Sequence, residues 1–224
     1  MKKIISFIIL LSLLSCEGIH YDGERKLVIK GTIVDENNQP ISNNEVKLIV
    51  STSGQESFIF SNASETNYIG RTTSKEDGSY VMVIPEPSNF GQIVVETNSE
   101  GNLFNQKQFV NIKLSNFINY ELLLPQTKLF KNVDLSLLNI TPNQINTNYQ
   151  LQKLEYIGAV ANEVEIMNPY EESYYPYTTN IQVKKNQTLL LKYTVKDFIT
   201  NQILVFEQNI TIGNDSETNY TLNY

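Results

Sequence analysis

Apolar and polar side chains alternate along most of this chain with a period of two residues. In the stretch LVIKGTIVD, Leu27, Ile29 and Ile33 fall on one face, and Lys30 falls on the other. This period is typical of a β-strand that buries one face. Turn clusters such as ENNQP separate the alternating stretches, and no stretch of comparable length has helical spacing. The sequence therefore predicts an all-β protein made of antiparallel β-sandwiches.

A two-part motif lies in the first half of the chain. The segment VIKGTIVDENNQPISNNEVKLIV is followed, after residue 69, by GRTTSKEDGSYVMVIP. Asp77-Gly78 predicts a tight turn between two strands, because glycine adopts a positive φ without steric cost. Further strand candidates in this half are QIVVET, QKQFVNIKL and NYELLLP.

This motif resembles the carboxypeptidase regulatory-like, or transthyretin-like, β-sandwich family. The matching positions are Gly31, Val34-Asp35, Pro40-Ile41, Val46, Thr72-Thr73, Asp77-Gly78-Ser79-Tyr80 and Pro85. The resemblance covers about residues 27–125 and implies a small Greek-key sandwich. It also implies a non-catalytic module of the kind appended to peptidases and placed at the front of outer-membrane receptors. The long stretch at 51–68 departs from the pattern of many members, which are shorter there.

Residues 126–224 keep the same period without a motif of a named family. The strand candidates are VDLSLLNIT, YQLQKLEYIG, NIQVKK, TLLLKYTVKDF, QILVFEQNITIG and NYTLNY. Their spacing predicts a second antiparallel sandwich, immunoglobulin-like in arrangement. The chain has no Trp, so the Cys-Trp-Cys signature of true immunoglobulin domains is absent. The alternative is that this half packs onto the first sandwich as one larger unit.

The first residues have the layout of an export signal. A basic start, Met1-Lys2-Lys3, precedes the apolar run IISFIILLSLL, and the small residue Ser15 follows. The run is shorter than the roughly 20 apolar residues that span a bilayer. Basic start, short apolar region and small residue are typical of a secretory signal peptide. We therefore assign residues 1–15 to a signal peptide.

The end of this signal, Leu13-Leu14-Ser15-Cys16, resembles the lipobox of bacterial lipoproteins. The resemblance implies a diacylglyceryl thioether on Cys16 and cleavage just before it, with Ser15 and Leu13 fitting the peptidase. Cys16 is the only cysteine, and an unpaired thiol is unusual in an exported protein. The alternative is an ordinary free thiol beside an ordinary cleavage site. We expect a lipid anchor at Cys16, followed by a polar tether at 16–26.

The net charge and the lipobox together limit the possible partners and the cellular location. The formal charge is −7, and it becomes about −9 once Lys2 and Lys3 leave with the signal. An acidic surface repels phosphate backbones, which argues against nucleic acid as a partner. A lipobox indicates a bacterium, and we expect a lipid-anchored protein of the cell envelope, in the outer membrane of a Bacteroidetes-type cell.

A cluster of tyrosines in NPYEESYYPYTTN is the candidate binding loop. Tyr170, Tyr174, Tyr175 and Tyr177 stand among two prolines and two glutamates. Tyrosine combines a rigid apolar face with a hydrogen-bonding tip, which suits sugar rings and protein partners alike. The alternative is that these rings cover the end of a sandwich or a contact between domains.

The sequence contains no recognisable catalytic set. The only histidine, His20, lies in the tether, where it has no second imidazole with which to share a metal. Paired carboxylates such as Glu163 with Glu165, or Glu171 with Glu172, are more typical of a solvated surface than of a glycosidase. The cluster from Asp35 to Asn38 is better explained as a turn than as a calcium loop. We predict no enzyme, no cofactor and no metal.

Two functions are consistent with an anchor followed by sheet-rich modules. The first is a non-enzymatic scaffold or protein-binding subunit of an envelope assembly. The second is a surface glycan-binding lipoprotein that serves an outer-membrane transporter, with the tyrosine loop as its platform.

Overall fold

A computed structural model describes residues 21–51, 66–88, 92–98, 103–161, 164–167 and 179–224. Within those ranges the regular structure is sixteen strands and two short 3-10 helices, Leu114–Asn116 and Asn132–Asp134. The strands are β1 (Tyr21–Val34), β2 (Glu45–Ser51), β3 (Thr66–Thr73), β4 (Ser79–Pro87), β5 (Gln92–Asn98), β6 (Lys107–Ile112), β7 (Glu121–Leu123), β8 (Thr127–Lys128), β9 (Leu135–Asn143), β10 (Tyr149–Ile157), β11 (Val160–Ala161), β12 (Val164–Ile166), β13 (Asn180–Lys184), β14 (Gln187–Asp197), β15 (Gln202–Ile212) and β16 (Glu217–Asn223). The prediction of an all-β protein is confirmed.

The first sandwich packs two sheets over one core. One sheet has the order β4-β1-β7, with β8 also paired to β1, and the facing sheet has the order β12-β6-β5-β2-β3. The alternating apolar residues of both sheets meet between them. The largest of these fully buried side chains are Tyr80, Phe109, Leu27, Ile29, Ile33, Leu48, Ile84, Ile93, Ile112 and Leu129.

The second sandwich has a core of its own. Its sheets have the orders β10-β14-β15 and β11-β13-β9-β16. Its buried apolar side chains include Leu138, Leu151, Val183, Leu189, Leu191, Val195, Ile210 and Leu222. Both halves of the chain therefore fold as β-sandwiches.

The pairing is mixed rather than purely antiparallel, which corrects the sequence prediction. Hairpins such as β14–β15 are antiparallel, but β7 and β8 run parallel to β1, β12 runs parallel to β6, and β16 runs parallel to β9. A parallel neighbour needs a long crossover connection, and here the chain passes through other strands before it returns. The alternation of side chains does not encode that return direction.

β1 begins inside the range predicted to be a tether. The sequence predicts a tether at 16–26, and the chain is a strand from Tyr21, which lies opposite Pro87 of β4. The register shifts between Asp22 and Lys26, which marks a β-bulge. A bulge held by backbone pairing breaks the side-chain alternation, and the polar stretch therefore did not look like a strand.

The two halves also share structure across the expected boundary at residue 125. β8 pairs with the end of β1, and Leu129 is buried in the first core. β12, from the second half, forms the edge of a first-sandwich sheet, with Val164 opposite Gln108 of β6. The division at 125/126 therefore stays a prediction, with two separate cores in its favour and shared strands against it.

Candidate functional site

The residues predicted to carry the anchor and the binding loop lie outside the described ranges. They are Leu13, Leu14, Ser15, Cys16, Tyr170, Tyr174, Tyr175 and Tyr177, and His20 lies outside as well. The segment at 168–178 joins β12, at the edge of the first sandwich, to β13 of the second. Their roles stay predictions. Within the described part of the chain, no helix is long and apolar enough to cross a membrane.

The acidic turn after β1 is held by its own backbone. Asp35 Oδ1 accepts hydrogen bonds from the backbone N–H groups of Asn37 and Gln39, both at 2.8 Å. Glu36 pairs with Lys184 of the second sandwich at 3.0 Å. These contacts account for both carboxylates as an Asx turn and an ion pair. No group of three or more His, Cys, Asp or Glu residues that could hold a metal occurs in the ranges above.

One carboxylate of the proposed Glu163–Glu165 pair has a structural partner. Glu165 of β12 forms an ion pair with the Lys107 ammonium of β6 at 2.6 Å, and the Lys107 side chain is only 11% exposed. Glu163 lies outside the described residues, as do Glu171 and Glu172. Glu165 therefore joins β12 to β6.

A cleft of about 330 Å³ between the two sandwiches is lined by Lys107, Lys128, Lys184 and Glu36. Two of these lysines already have carboxylate partners, Lys107 with Glu165 and Lys184 with Glu36. The positive charge that lines the cleft is therefore largely neutralised. Its ion pairs join the two halves of the chain and do not indicate an anion-binding site.

A patch of apolar and charged side chains lies on the outer side of the β4-β1-β7 sheet, and we call it the β1 face. It consists of the outward side chains Lys26, Val28, Lys30, Val81, Val83, Glu121 and Leu123. Leu123 is 76% exposed and Val83 is 57% exposed. In the centre, the Lys30 ammonium donates to Glu121 Oε2 at 2.7 Å. An outer sheet face is usually polar in a sandwich, so this one is unusual.

A strained turn borders the β1 face. Ile118 and Glu121 exchange two backbone hydrogen bonds, at 2.8 and 2.9 Å, across the two-residue loop Asn119-Tyr120. Both loop residues have positive φ, 52° and 65°. Asparagine tolerates this conformation, but a tyrosine there is uncommon and costs on the order of 1–3 kcal/mol. The turn leaves Ile118 77% and Tyr120 51% exposed.

A second apolar surface lies on the β14–β15 hairpin, and we call it the β15 ridge. It consists of Phe198 and Ile199 in the hairpin turn and Ile203 and Val205 on the outer side of β15. Ile199 is 75% and Ile203 is 58% exposed. β15 is eleven residues long and stands at the edge of its sheet, where the structure describes no strand on its other side.

A feature of the sequence other than the alternation of apolar and polar residues indicates both surfaces. YVMVI at 80–84 and ILVF at 203–206 are continuous apolar runs, and a strand with such a run presents apolar side chains on both faces. One face of each strand fills a core, and the other is left at the surface.

Comparisons with known proteins give no family. No family model matches the chain, and no curated protein matches it. The resemblance to the carboxypeptidase regulatory-like family therefore stays a prediction.

Some solved structures are similar to the chain at low identity. 3-Chlorocatechol 1,2-dioxygenase from Rhodococcus opacus 1CP is 12% identical, with a TM-score of 0.32 over 51% of this chain and 62% of that one. The shaft pilin SpaA from Lactobacillus rhamnosus GG is 7% identical, with a TM-score of 0.36 over 89% of this chain and 97% of that one. A 9R-lipoxygenase from Cyanothece PCC8801 is 11% identical, with a TM-score of 0.31, and the match covers 51% of this chain and 18% of that enzyme. These low scores carry no argument about function, and the class of protein rests on the sheets themselves: an all-β protein of two sandwiches.

Proposed function

We propose that this chain is a lipid-anchored, non-enzymatic protein of the bacterial cell envelope that acts as a scaffold or protein-binding subunit. The β15 ridge is the observation that carries the binding role. Large contiguous apolar patches are uncommon on monomeric proteins, and exposed ones often mark sites of interaction. A long edge strand adds unpaired backbone groups that can accept a strand from a partner.

The edge geometry supports protein rather than sugar as the ligand of the ridge. Natural edge strands are usually short, bulged or guarded by charge. β15 pairs with β14 in unbroken register from Gln202 to Ile212, and its outer side carries Ile203 and Val205 before the first charge, at Glu207. An extended segment of a partner can therefore pair with the backbone and cover these side chains at the same time.

The anchor supports the location. The lipobox places the acyl chains on Cys16, and the strands begin at Tyr21. The outer membrane and a Bacteroidetes-type source belong to the same proposal and rest on the sequence. The glycan-binding alternative depends on Tyr170, Tyr174, Tyr175 and Tyr177, which lie outside the described residues, and it stays a prediction.

Capture from membranes tests the binding role. Tagged full-length protein is purified from solubilised membranes as wild type, Ile203→Glu and Ile157→Glu, and the co-purified proteins are quantified. Ile157 is an exposed isoleucine of β10, opposite Leu190 of β14, whereas Ile203 lies opposite Lys196 toward the other end of β14. Its variant therefore carries the same change in charge away from the ridge. We expect Ile203→Glu to lose a specific partner by about tenfold or more, the effect of a charge in an apolar contact.

The control fixes the interpretation of this experiment. Ile157→Glu should keep the partner at the wild-type level, and both variants should unfold at the wild-type denaturant concentration. If Ile203→Glu retains every partner that the wild type captures, the β15 ridge is not a binding surface and the proposal fails.

A further inference from the structure

We infer that the β1 face lies against the bilayer that holds the acyl anchor, with phospholipid as its ligand. This inference rests on the lipid anchor of the proposed function and adds an orientation to it. The sandwich would then lie on the membrane by one sheet, leaving the β15 ridge of the other sandwich for a protein partner.

The composition of the β1 face fits the interface of a bilayer. Its apolar side chains, Val28, Val81, Val83 and Leu123, stand on three adjacent strands. Ile118 and Tyr120 extend the surface at the neighbouring turn. Aliphatic side chains with a tyrosine at their border are typical of surfaces that enter the region between headgroups and acyl chains.

The charge of this surface differs in sign from that of the chain. The β1 face holds Lys26 and Lys30 against a single glutamate, Glu121, whereas the whole chain carries −7. Basic side chains near a bilayer are attracted by anionic headgroups. A shallow concavity of about 610 Å³ lies beside Lys30, Glu121, Ile118 and Leu123. Because Lys30 is paired with Glu121 at 2.7 Å, the concavity offers space for a headgroup beside an ion pair, and Lys26 supplies the net positive charge of the face.

The strained turn gives a reason for the exposed ring. Tyr120 adopts a φ of 65°, and its backbone O accepts a hydrogen bond from Val28 N at 2.9 Å. The turn is thereby fixed to β1 while the ring is half-exposed. Strain of this kind persists where the surrounding structure imposes it, and it concentrates at functional sites.

The short tether brings this surface to the membrane. Five residue steps separate Cys16 from Tyr21, which span at most about 18 Å when fully extended. β7 runs parallel to β1 with Glu121 opposite Val28, so the turn before Glu121 lies toward the end of the sheet at which β1 begins. The β1 face therefore borders the part of the first sandwich that the anchor holds close to the lipid.

A single tryptophan reports contact with lipid, because the chain has none of its own. Full-length lipidated Leu123→Trp is reconstituted into vesicles of phosphatidylethanolamine and phosphatidylglycerol, and Val83→Trp provides a second reporter on a different strand. Ile145→Trp, on the second sandwich, is the matched control. We expect emission from the two face reporters to shift to shorter wavelength and to be quenched by brominated acyl chains, while the control stays open to aqueous acrylamide.

The outcomes separate the inference from the anchor. If the chain does not float with the vesicles, the anchor and the inference both fail. If it floats and the face reporters remain as accessible to acrylamide as Ile145→Trp, only the inference fails. If they are protected from acrylamide without quenching by brominated lipid, a protein contact covers the face and the inference is again wrong.

Discussion

Gly31 and Tyr80 show how the two parts of the sequence motif meet. Gly31 lies opposite Tyr80 in the β1–β4 pair, and a Cβ built on Gly31 would stand 2.4 Å from the tyrosine Oη. The tyrosine ring lies across the glycine and fills the core, with 1% of the residue exposed. Gly78 has a φ of 75° in the preceding turn, as the Asp77-Gly78 pair predicts. The sequence motif could be recognised without this geometry, but the contact explains why Gly31 is needed.

Replacing Gly31 should therefore destabilise the first sandwich. We expect Gly31→Ala to lower the free energy of unfolding by about 1–3 kcal/mol, the usual cost of overpacking a core. Gly23→Ala is the control, because a Cβ at Gly23 meets nothing within 4 Å. Urea unfolding followed by circular dichroism measures both. Equal stability of Gly31→Ala and wild type would show that the ring moves aside without cost.

Buried tyrosines should make the protein sensitive to alkali. Burial raises the pKa of Tyr80 well above its usual value and raises the pKa of Tyr156 to about 12. Above pH 10 the unfolded chain releases these phenol protons while the folded chain keeps them, so the free energy of unfolding falls as pH rises. This stability is complete below pH 10 and is lost as pH approaches the folded pKa values.

The difference between wild type and Tyr80→Phe isolates one of these groups from the lysines that titrate in the same range. The Tyr80 hydroxyl is buried and has no hydrogen-bond partner among the described residues. Tyr80→Phe should therefore be at least as stable as wild type at pH 8, and it should lose less stability between pH 8 and pH 11.5. Parallel pH profiles for the two proteins would contradict this account.

At the scale of elements, the alternation of apolar and polar residues predicts most strands. It misses those strands whose position depends on tertiary pairing. EVKLIV, QIVVET and QILVFEQNITIG coincide closely with β2, β5 and β15. β8, β11 and β12 are two or three residues long, too short for a period to show. Their positions come from tertiary pairing, and so does the parallel direction of β16 along β9.

β12 depends on an ion pair for its place at the sheet edge. Glu165→Gln removes the charge that faces the poorly exposed Lys107 ammonium, and we expect a loss of about 1–2 kcal/mol in the free energy of unfolding. Hydrogen exchange at Val164–Ile166 should become faster. Glu155→Gln, at the exposed pair with Lys153, is the control and should leave stability unchanged within error. Unaltered exchange in β12 would show that backbone pairing alone holds it.

At the scale of the whole molecule, the sequence predicted two sandwiches but not the surfaces they expose. The cores follow from which residues are apolar, and each half of the chain has enough of them. The β1 face and the β15 ridge arise because β4, β7 and β15 carry apolar side chains on both sides while only one side has a facing sheet. In sequence, such an apolar run is equally consistent with a strand that is buried on both faces. Only the number of packed layers in the fold distinguishes that strand from one with an exposed apolar face.

The proposed envelope location, the orientation on lipid and the access to an envelope partner all depend on the anchor at Cys16. Replacing Cys16 tests this anchor directly. Full-length wild type and Cys16→Ser are expressed in the native type of host, and membranes are separated from the soluble fraction. The mass of the amino-terminal peptide is then measured by mass spectrometry. We predict wild type in the membrane fraction with an acylated Cys16 at its start, and Cys16→Ser neither cleaved at that bond nor acylated. A Cys16→Ser protein that is processed and membrane-bound like the wild type would contradict the account.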